Sequence, residues 1–238
     1  MPRSTDLNID LNADLGEGIT DDAGLLQVVT SANVACGFHA GDEATMRRVC
    51  EMAAERGVAV GAQVSYLDRD GFGRRAMEVS APVLTEWVTQ QVETLRRIAV
   101  AAGTTVAYLK PHGALYNRVI DDPEQARAVL IGAGSLPILT LPIGELRAHA
   151  LRQGRRVRSE GFPDRSYTPE GRLSSRSEPG ALIEDPEEIA VRAVALARAG
   201  VDSVCVHGDS PGAVEAASLV REGLIAAGYA VAAGWGPR

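Results

Sequence analysis

The chain has 238 residues, 45% hydrophobic and 23% charged, with a formal net charge of −7. That length allows one large core or two modest domains, and the acidic balance, without any Lys/Arg cluster, argues against nucleic acid and anionic membrane surfaces as partners. No run approaches the roughly 20 apolar residues that span a bilayer, residues 1–12 contain no signal-like apolar segment, and Cys36, Cys50 and Cys205 form no C-x-x-C. A cytoplasmic protein with no disulfide framework and no thiolate zinc site is expected.

Apolar runs and helical patterns alternate along the whole chain. A strand is predicted over 8–13, a short helix near 21–30, a second strand over 32–36, and a helix from 41–42 that stops at Gly57. A third strand spans 58–62. A long helix opens near Pro82, which suits a first-turn position, and ends at Gly103. Then come a strand over 105–109, a helix over 123–131, a strand over 137–141, a helix over 144–153 and a strand over 155–159. Asp185-Pro186 caps a helix that stops at Gly200, a seventh strand covers 203–206, Ser210-Pro211 opens a last helix ended by Gly228, and an apolar run closes the series over 229–233. Seven or eight β-α units without a composition break imply one domain over 1–238, with a parallel sheet and right-handed crossovers. The unit count favours a closed (β/α) barrel over an open doubly wound sheet.

Polar residues gather where these strands end. Asp10, Asn12 and Asp14 share one face of the first strand. His39 and Asp42 follow the second, Gln63 and Ser65 the third, Lys110 and His112 the fourth, Glu160 the sixth, and His207 and Asp209 the seventh. In a barrel all of these meet at one rim, where barrel enzymes keep their active sites. Lys110 stands out because it is the only lysine among 24 Lys plus Arg. A compact ammonium whose pKa moves readily on desolvation is not replaceable by a planar, permanently charged guanidinium. His39, His112 and His207 could ligate a divalent metal together with Asp10 or Asp14, with Asp14, His39 and His112 the preferred set, or they could carry protons. The spacing does not choose between these roles.

Several familiar motifs are missing. Gly71-Phe72-Gly73-Arg74-Arg75-Ala76 fits G-x-G-x-x-A but does not follow a strand directly. Lys110 is followed by Pro111 and so cannot belong to a Walker loop. An EF-hand loop fails at Leu15 and Asp21. The stretches over 37–42 and 208–212 offer backbone N–H groups ahead of helices, as anion cradles do. The long connection over 161–180, with Arg165, Tyr167, Arg172 and Arg176, has the length of a lid.

Five strings in this chain are specific: residues 9–18 (IDLNADLGEG), 31–42 (SANVACGFHAGD), 71–74 (GFGR), 109–117 (LKPHGALYN) and 206–209 (VHGD). Together they resemble the LamB/YcsF family, the A components of 5-oxoprolinase, nearly end to end and in the same order. The resemblance implies an irregular barrel similar to glycoside hydrolase and polysaccharide deacetylase barrels. It also implies cleavage of 5-oxo-L-proline to L-glutamate, driven by ATP and requiring partner subunits B and C. On that reading Lys110 stabilises developing negative charge, Asp14 or Asp10 with His39 orients and deprotonates water, and His112 or His207 donates a proton. Arg74 or Arg176 holds the substrate carboxylate, with Asn12, Asp42, Gln63, Tyr116 and Asp209 as further binding residues. Many members carry His-Pro where this chain has Gln63-Val64. Two other functions stay open: a stand-alone metal-dependent deacetylase or amidohydrolase, and a non-catalytic module that binds a lactam or carbohydrate within a larger complex. The sequence is also compatible with a homo-oligomer.

Overall fold

The computed structural model describes residues 7–19, 21–208 and 212–235. Seven parallel strands form a closed ring: β1 (Asn8–Leu15), β2 (Ser31–Ala35), β3 (Ala59–Val64), β4 (Val106–Pro111), β5 (Ile138–Thr140), β6 (Val157–Gly161) and β7 (Ser203–Val206). Sequential neighbours pair, and β1 closes the ring between β7 and β2. The final apolar run forms a two-residue strand, β8 (Ala230–Val231). It pairs with Asn8 and Ile9, at the start of β1, and so adds to the ring without widening it. Outside lie α1 (Asp22–Leu25), α2 (Glu43–Arg56), α3 (Ala81–Ala101), α4 (Gly113–Asp121), α5 (Pro123–Gly132), α6 (Glu145–Arg152), α7 (Pro186–Arg198) and α8 (Ala213–Ala226).

β1 shows why the ring closes. Leu11, Ala13 and Leu15 pack outward into the core shared with the helices. Asp10, Asn12 and Asp14 alternate with them, equally buried, and reach across the interior to Ser203, Asn33 and Lys110. Both faces of a barrel strand are covered, so polarity along it marks interior against exterior rather than buried against wet. This alternation also explains where the sequence expectations fall short. β1, β3, β4 and β6 each run about two residues beyond their predicted ends, because interior polar residues look like loop residues in sequence. Asp14, Gln63, Lys110 and Glu160 therefore lie within strands.

Two helices differ from expectation as well. The helix expected near 21–30 is a single turn, because Asp21 caps it and the chain turns away after Leu25 to enter β2. A helix not anticipated, α4, starts directly after Pro111-His112. Its buried residues Leu115, Tyr116, Val119 and Ile120 have helical spacing, so Tyr116 sits on a helix.

The barrel floor is plugged by the C-terminal segment. Trp235 stacks on Tyr108 with ring centroids 4.0 Å apart and planes 13° from parallel. Its Nε1 donates to Ser31 Oγ at 3.1 Å, and Arg158 lies over its outer face, 5.5 Å from the centroid. Truncating a buried aromatic of this size typically costs about 3–5 kcal/mol. Trp235→Ala should lower the unfolding free energy by an amount in that range in urea titrations, and an unchanged transition would show that the plug carries no load.

Candidate active site

Lys110, second to last in β4, points into the upper barrel and is almost fully buried. Its Nζ lies 3.0 Å from Asp14 Oδ1, 2.8 Å from Glu160 Oε1 and 3.2 Å from Cys205 Sγ. These partners come from β1, β6 and β7, so barrel closure itself assembles the group. Asp14 also accepts from Asn33 Nδ2 at 2.8 Å, and Tyr116 OH donates to Glu160 Oε2 at 3.0 Å. Burial opposes the charge on Asp14, but Lys110, with His207 and His112, holds its carboxyl well below the ordinary range. Burial likewise opposes the ammonium, yet Asp14, Cys205 and Glu160 keep Lys110 protonated far above its usual pKa. Burial raises Glu160 despite the pull of Lys110. The two carboxyls are thus pushed in opposite directions, Asp14 down and Glu160 up.

A second cluster adjoins it. Glu17, His39 and His112 bring one carboxylate oxygen and two ring nitrogens within 4.8 Å of one another. Their hydrogen bonds set the tautomers. Ser65 Oγ gives its hydrogen to Tyr66 O, so it must accept from His39 Nδ1, which lies 3.0 Å away. His39 Nε2 is left with a lone pair, buried, without a hydrogen-bond partner and 3.6 Å from Glu17 Oε1. His112 Nε2 lies 3.1 Å from Phe72 O, which can only accept, so His112 Nδ1 carries its lone pair toward Glu17 at 3.8 Å. Burial and the adjacent His39 push the His112 pKa well below its usual value, favouring neutral imidazole. Two oriented imidazole lone pairs and a carboxylate, each imidazole held by an outer hydrogen bond, are the donor set of a zinc-type cation site. The rings stack at 4.0 Å. The loop above them needs glycine: a Cβ on Gly73 (φ +68°) would meet His39 Cβ at 2.9 Å, and one on Gly113 (φ +59°) would meet Gly73 O at 2.3 Å.

On the other side of Lys110, His207 Nδ1 and its backbone N–H both reach Asp164 Oδ2, at 2.7 and 2.9 Å. Phe162 stacks on the imidazole at 5.3 Å. Burial opposes ionisation of Asp164, and His207 outweighs it, placing that carboxyl below its ordinary value of 3.8. A cleft of about 430 Å³ opens between the two clusters, with Asp14, Lys110, His112, Tyr116 and His207 in its wall and Arg74 and Arg176 toward its mouth.

The expected residues divide accordingly. Asp14, Lys110, His112, Tyr116, His207, Arg74 and Arg176 share the cleft, while His39 and Gln63 lie behind His112. Asn12 sits one step below Asp14, 3.5 Å from the ammonium. Asp10 does not reach the site. It lies lower in the barrel, where Ser203, Ser31 and Thr30 donate to its carboxylate. Asp42 is exposed and caps α2 by accepting from Thr45 N at 2.7 Å, a helix-capping position and not a binding one. The carboxylate beside His39 and His112 is Glu17, whereas Asp14, the expected partner, is engaged by Lys110. Asp209, with part of the cradle over 208–212, falls outside the described residues. In the cradle over 37–42, Arg69 fills the space by donating to Gly37 O and Gly41 O. Sequence reasoning missed Glu17, Glu160 as a partner of the lysine, and Asp164. Glu17 stands inside a specific string, three residues past Asp14, but Asp164 sits in an irregular loop with no pattern to mark it.

The fold and these clusters define a parallel (β/α) barrel with a titratable site at the carboxyl ends of its strands. The LamB/YcsF family model matches residues 9–235, and the chain belongs to that family. The A component of 5-oxoprolinase from Streptomyces avermitilis is 56% identical, over 94% of this chain and 99% of the relative. The crystal structure of the lactam utilization protein from Thermus thermophilus superposes with a TM-score of 0.88 at 38% identity, covering 95% of this chain and 99% of that one. A family 4 carbohydrate esterase from Streptomyces lividans shares the fold, with a TM-score of 0.53 at 10% identity over 94% of this chain and 91% of its own.

The Asp164–His207 pair yields a pH prediction. The folded pKa of Asp164 lies below the unfolded value, so its stabilisation is present above 3.8 and is lost as pH falls through the folded value. Asp164→Asn should therefore flatten the decline of unfolding free energy below about pH 4. Denaturant titrations at several pH values check this, and superimposable slopes for variant and parent would refute it.

Proposed function

We propose that this chain is the ring-opening component of an ATP-dependent 5-oxoprolinase, converting 5-oxo-L-proline to L-glutamate together with subunits B and C. The observation that carries the proposal is the buried ammonium of Lys110, held charged in the wall of a cleft between two histidine clusters. Family membership and the name of the 56% identical relative point the same way.

The chemistry follows from the substrate. A lactam carbonyl is resonance-stabilised, and its nitrogen leaves only once protonated. Water must add to the carbonyl carbon, the C–N bond must break, and the nitrogen must take up a proton as the new carboxylate forms. Subunits B and C would use ATP to activate the ring carbonyl. Lys110 would then stabilise negative charge building on that oxygen, a contribution that grows in a site shielded from water. Asp14, ionised at any neutral pH, is placed to orient the attacking water. His207, held through Nδ1 by Asp164, has its Nε2 left to take a proton from the attacking water and deliver it to nitrogen. Arg74 and Arg176 at the mouth would hold the substrate carboxylate. Glu17, His39 and His112 would hold a divalent cation of the zinc type, which when bound supplies Lewis acidity beside the cleft.

The cation cluster also favours a second reading, a metal-dependent amidohydrolase acting without partners. A glutamate-release assay with 5-oxoproline and ATP, run with and without subunits B and C, separates the two. Dependence on all three chains supports the first reading, whereas partner-free turnover abolished by chelation and restored by zinc supports the second. With the partners present, Lys110→Met should lower kcat by about 100-fold or more, in line with loss of one charge-stabilising group. Full glutamate production by Lys110→Met would end the assignment.

A further inference from the structure

Gln63 borders the cation cluster, and one end of its amide, the oxygen, has no hydrogen-bond partner there. It lies in β3, paired in register with Ala35 and Lys110, so its side chain enters the upper barrel. It is fully buried. Its Nε2 stands 2.9 Å from His112 Nδ1 and 3.2 Å from Glu17 Oε1. Its Oε1 is buried without a hydrogen-bond partner. A carboxamide so placed leaves an acceptor unsatisfied while its N–H group faces the two lone pairs that a cation would need. Those lone pairs cannot serve an N–H and a cation together, and an N–H directed at a cation is repelled. A half-turn of the amide about its last torsion exchanges the two ends, putting the oxygen where Nε2 stands and the NH2 where Oε1 stands.

The spacings agree with that exchange. Donors about 2.0–2.1 Å from a zinc-type ion stand about 3.3 Å apart at tetrahedral angles and about 2.9 Å apart at right angles. The Gln63 position lies 3.2 and 2.9 Å from its two neighbours, and Glu17 lies 3.6 and 3.8 Å from His39 Nε2 and His112 Nδ1. We propose that Gln63 is the fourth donor of this site, giving its carboxamide oxygen to a divalent transition-metal ion held by Glu17, His39 and His112. The inference rests on the cation reading given above. Two imidazoles, one carboxylate and one neutral amide leave a divalent ion with a net positive charge. Imidazole donors favour zinc or cobalt over magnesium or calcium.

The test is calorimetric titration of chelator-stripped full-length chain with Zn²⁺ and with Co²⁺, independent of turnover. The proteins are the parent, Gln63→Leu, Gln63→Glu and His39→Ala. Leu keeps the size and removes the donor. It should weaken Zn²⁺ binding by at least about tenfold, the low end of what even outer-shell losses cost, and should change the visible spectrum of the Co²⁺ form. Glu keeps the size and adds charge, and should bind Zn²⁺ more tightly than the parent with a Co²⁺ spectrum of the same type. If Leu proves insoluble, the gain in Glu carries the test alone. Equal affinity in parent, Leu and Glu overturns the role of Gln63 while leaving the three-donor site intact. Absence of Zn²⁺ binding by the parent, or undiminished binding by His39→Ala, overturns the site and this inference with it.

Discussion

A single buried ammonium sets the terms for the upper barrel. Removing a charge from water is costly unless partners surround it, and Lys110 has Asp14, Glu160 and Cys205 within 3.2 Å of Nζ. Those partners come from three consecutive strands, β6, β7 and β1, facing β4 across the ring, so the ion cluster can form only if all four are in register. A small tetrahedral donor can address three acceptors arranged about a point, whereas a planar guanidinium would need them spread across its edge and more room than the closed ring allows. A chain that otherwise uses arginine for its cations keeps lysine at this one position. Phe162 covers the ammonium from one side at 5.1 Å, limiting its access to water.

The cluster stands on a hydrogen-bonded column that runs down the barrel interior. Asp14 accepts from Asn33, which also donates to Asn12, and Tyr108 OH donates to Asn33 Oδ1 at 2.6 Å. Asn12 donates to Ser203, and Ser203 to Asp10, at 2.7 and 2.6 Å. Ser31 donates to Asp10 and accepts from Trp235. Asp10 thus ends the column at the floor. Three hydroxyl donors favour its charged form, while burial, the larger effect, pushes its pKa up. A polar interior of this kind contributes little net stability, but a half-satisfied version would be worse than an apolar one. Its effect is to fix the rotamers of Asn33 and Asp14, and through Asp14 the position of the lysine. Trp235 and Tyr108 close the column off from water below.

Much of this was legible in the sequence. The β-α alternation pointed to the barrel, and the single lysine pointed to the cleft whose wall it occupies. What periodicity could not reveal was depth. Asp10, Asn12 and Asp14 share a face, but nothing in a two-residue period says which of them lies at the rim and which at the floor, so Asp10 looked equivalent to Asp14. Asp42 was misleading for a related reason, because a helix cap and a ligand-binding carboxylate use the same residue type after the same kind of turn. Glu17 was hidden by Gly16, whose left-handed backbone (φ +74°) breaks the strand period and turns the chain toward the histidines. Asp164 meets His207 across 43 residues and two separate loops, a pairing that no local pattern encodes.

The charge layout bears on how an anionic lactam would orient. The interior carries Asp14, Glu17, Glu160 and Asp164 around one ammonium, Lys110, with Glu17 and Asp164 facing imidazoles. The mouth is basic, with Arg74 and Arg176 in the cleft wall and Arg74 lying 4.8 Å over the ring of Phe72. A substrate carboxylate gains at the mouth and loses in the interior, where Asp14 would repel it. A neutral lactam ring suffers no such penalty and can take the deeper place, with its carbonyl oxygen directed to the only lysine ammonium in the chain. On the proposed function, the arginines would fix the carboxylate end and leave the ring carbonyl to reach Lys110. On that reading His207 and the cluster of Glu17, His39 and His112 would flank that position from opposite sides. Asp14 would orient the attacking water and His207 would protonate the nitrogen, so different side chains would serve the two ends of the breaking bond.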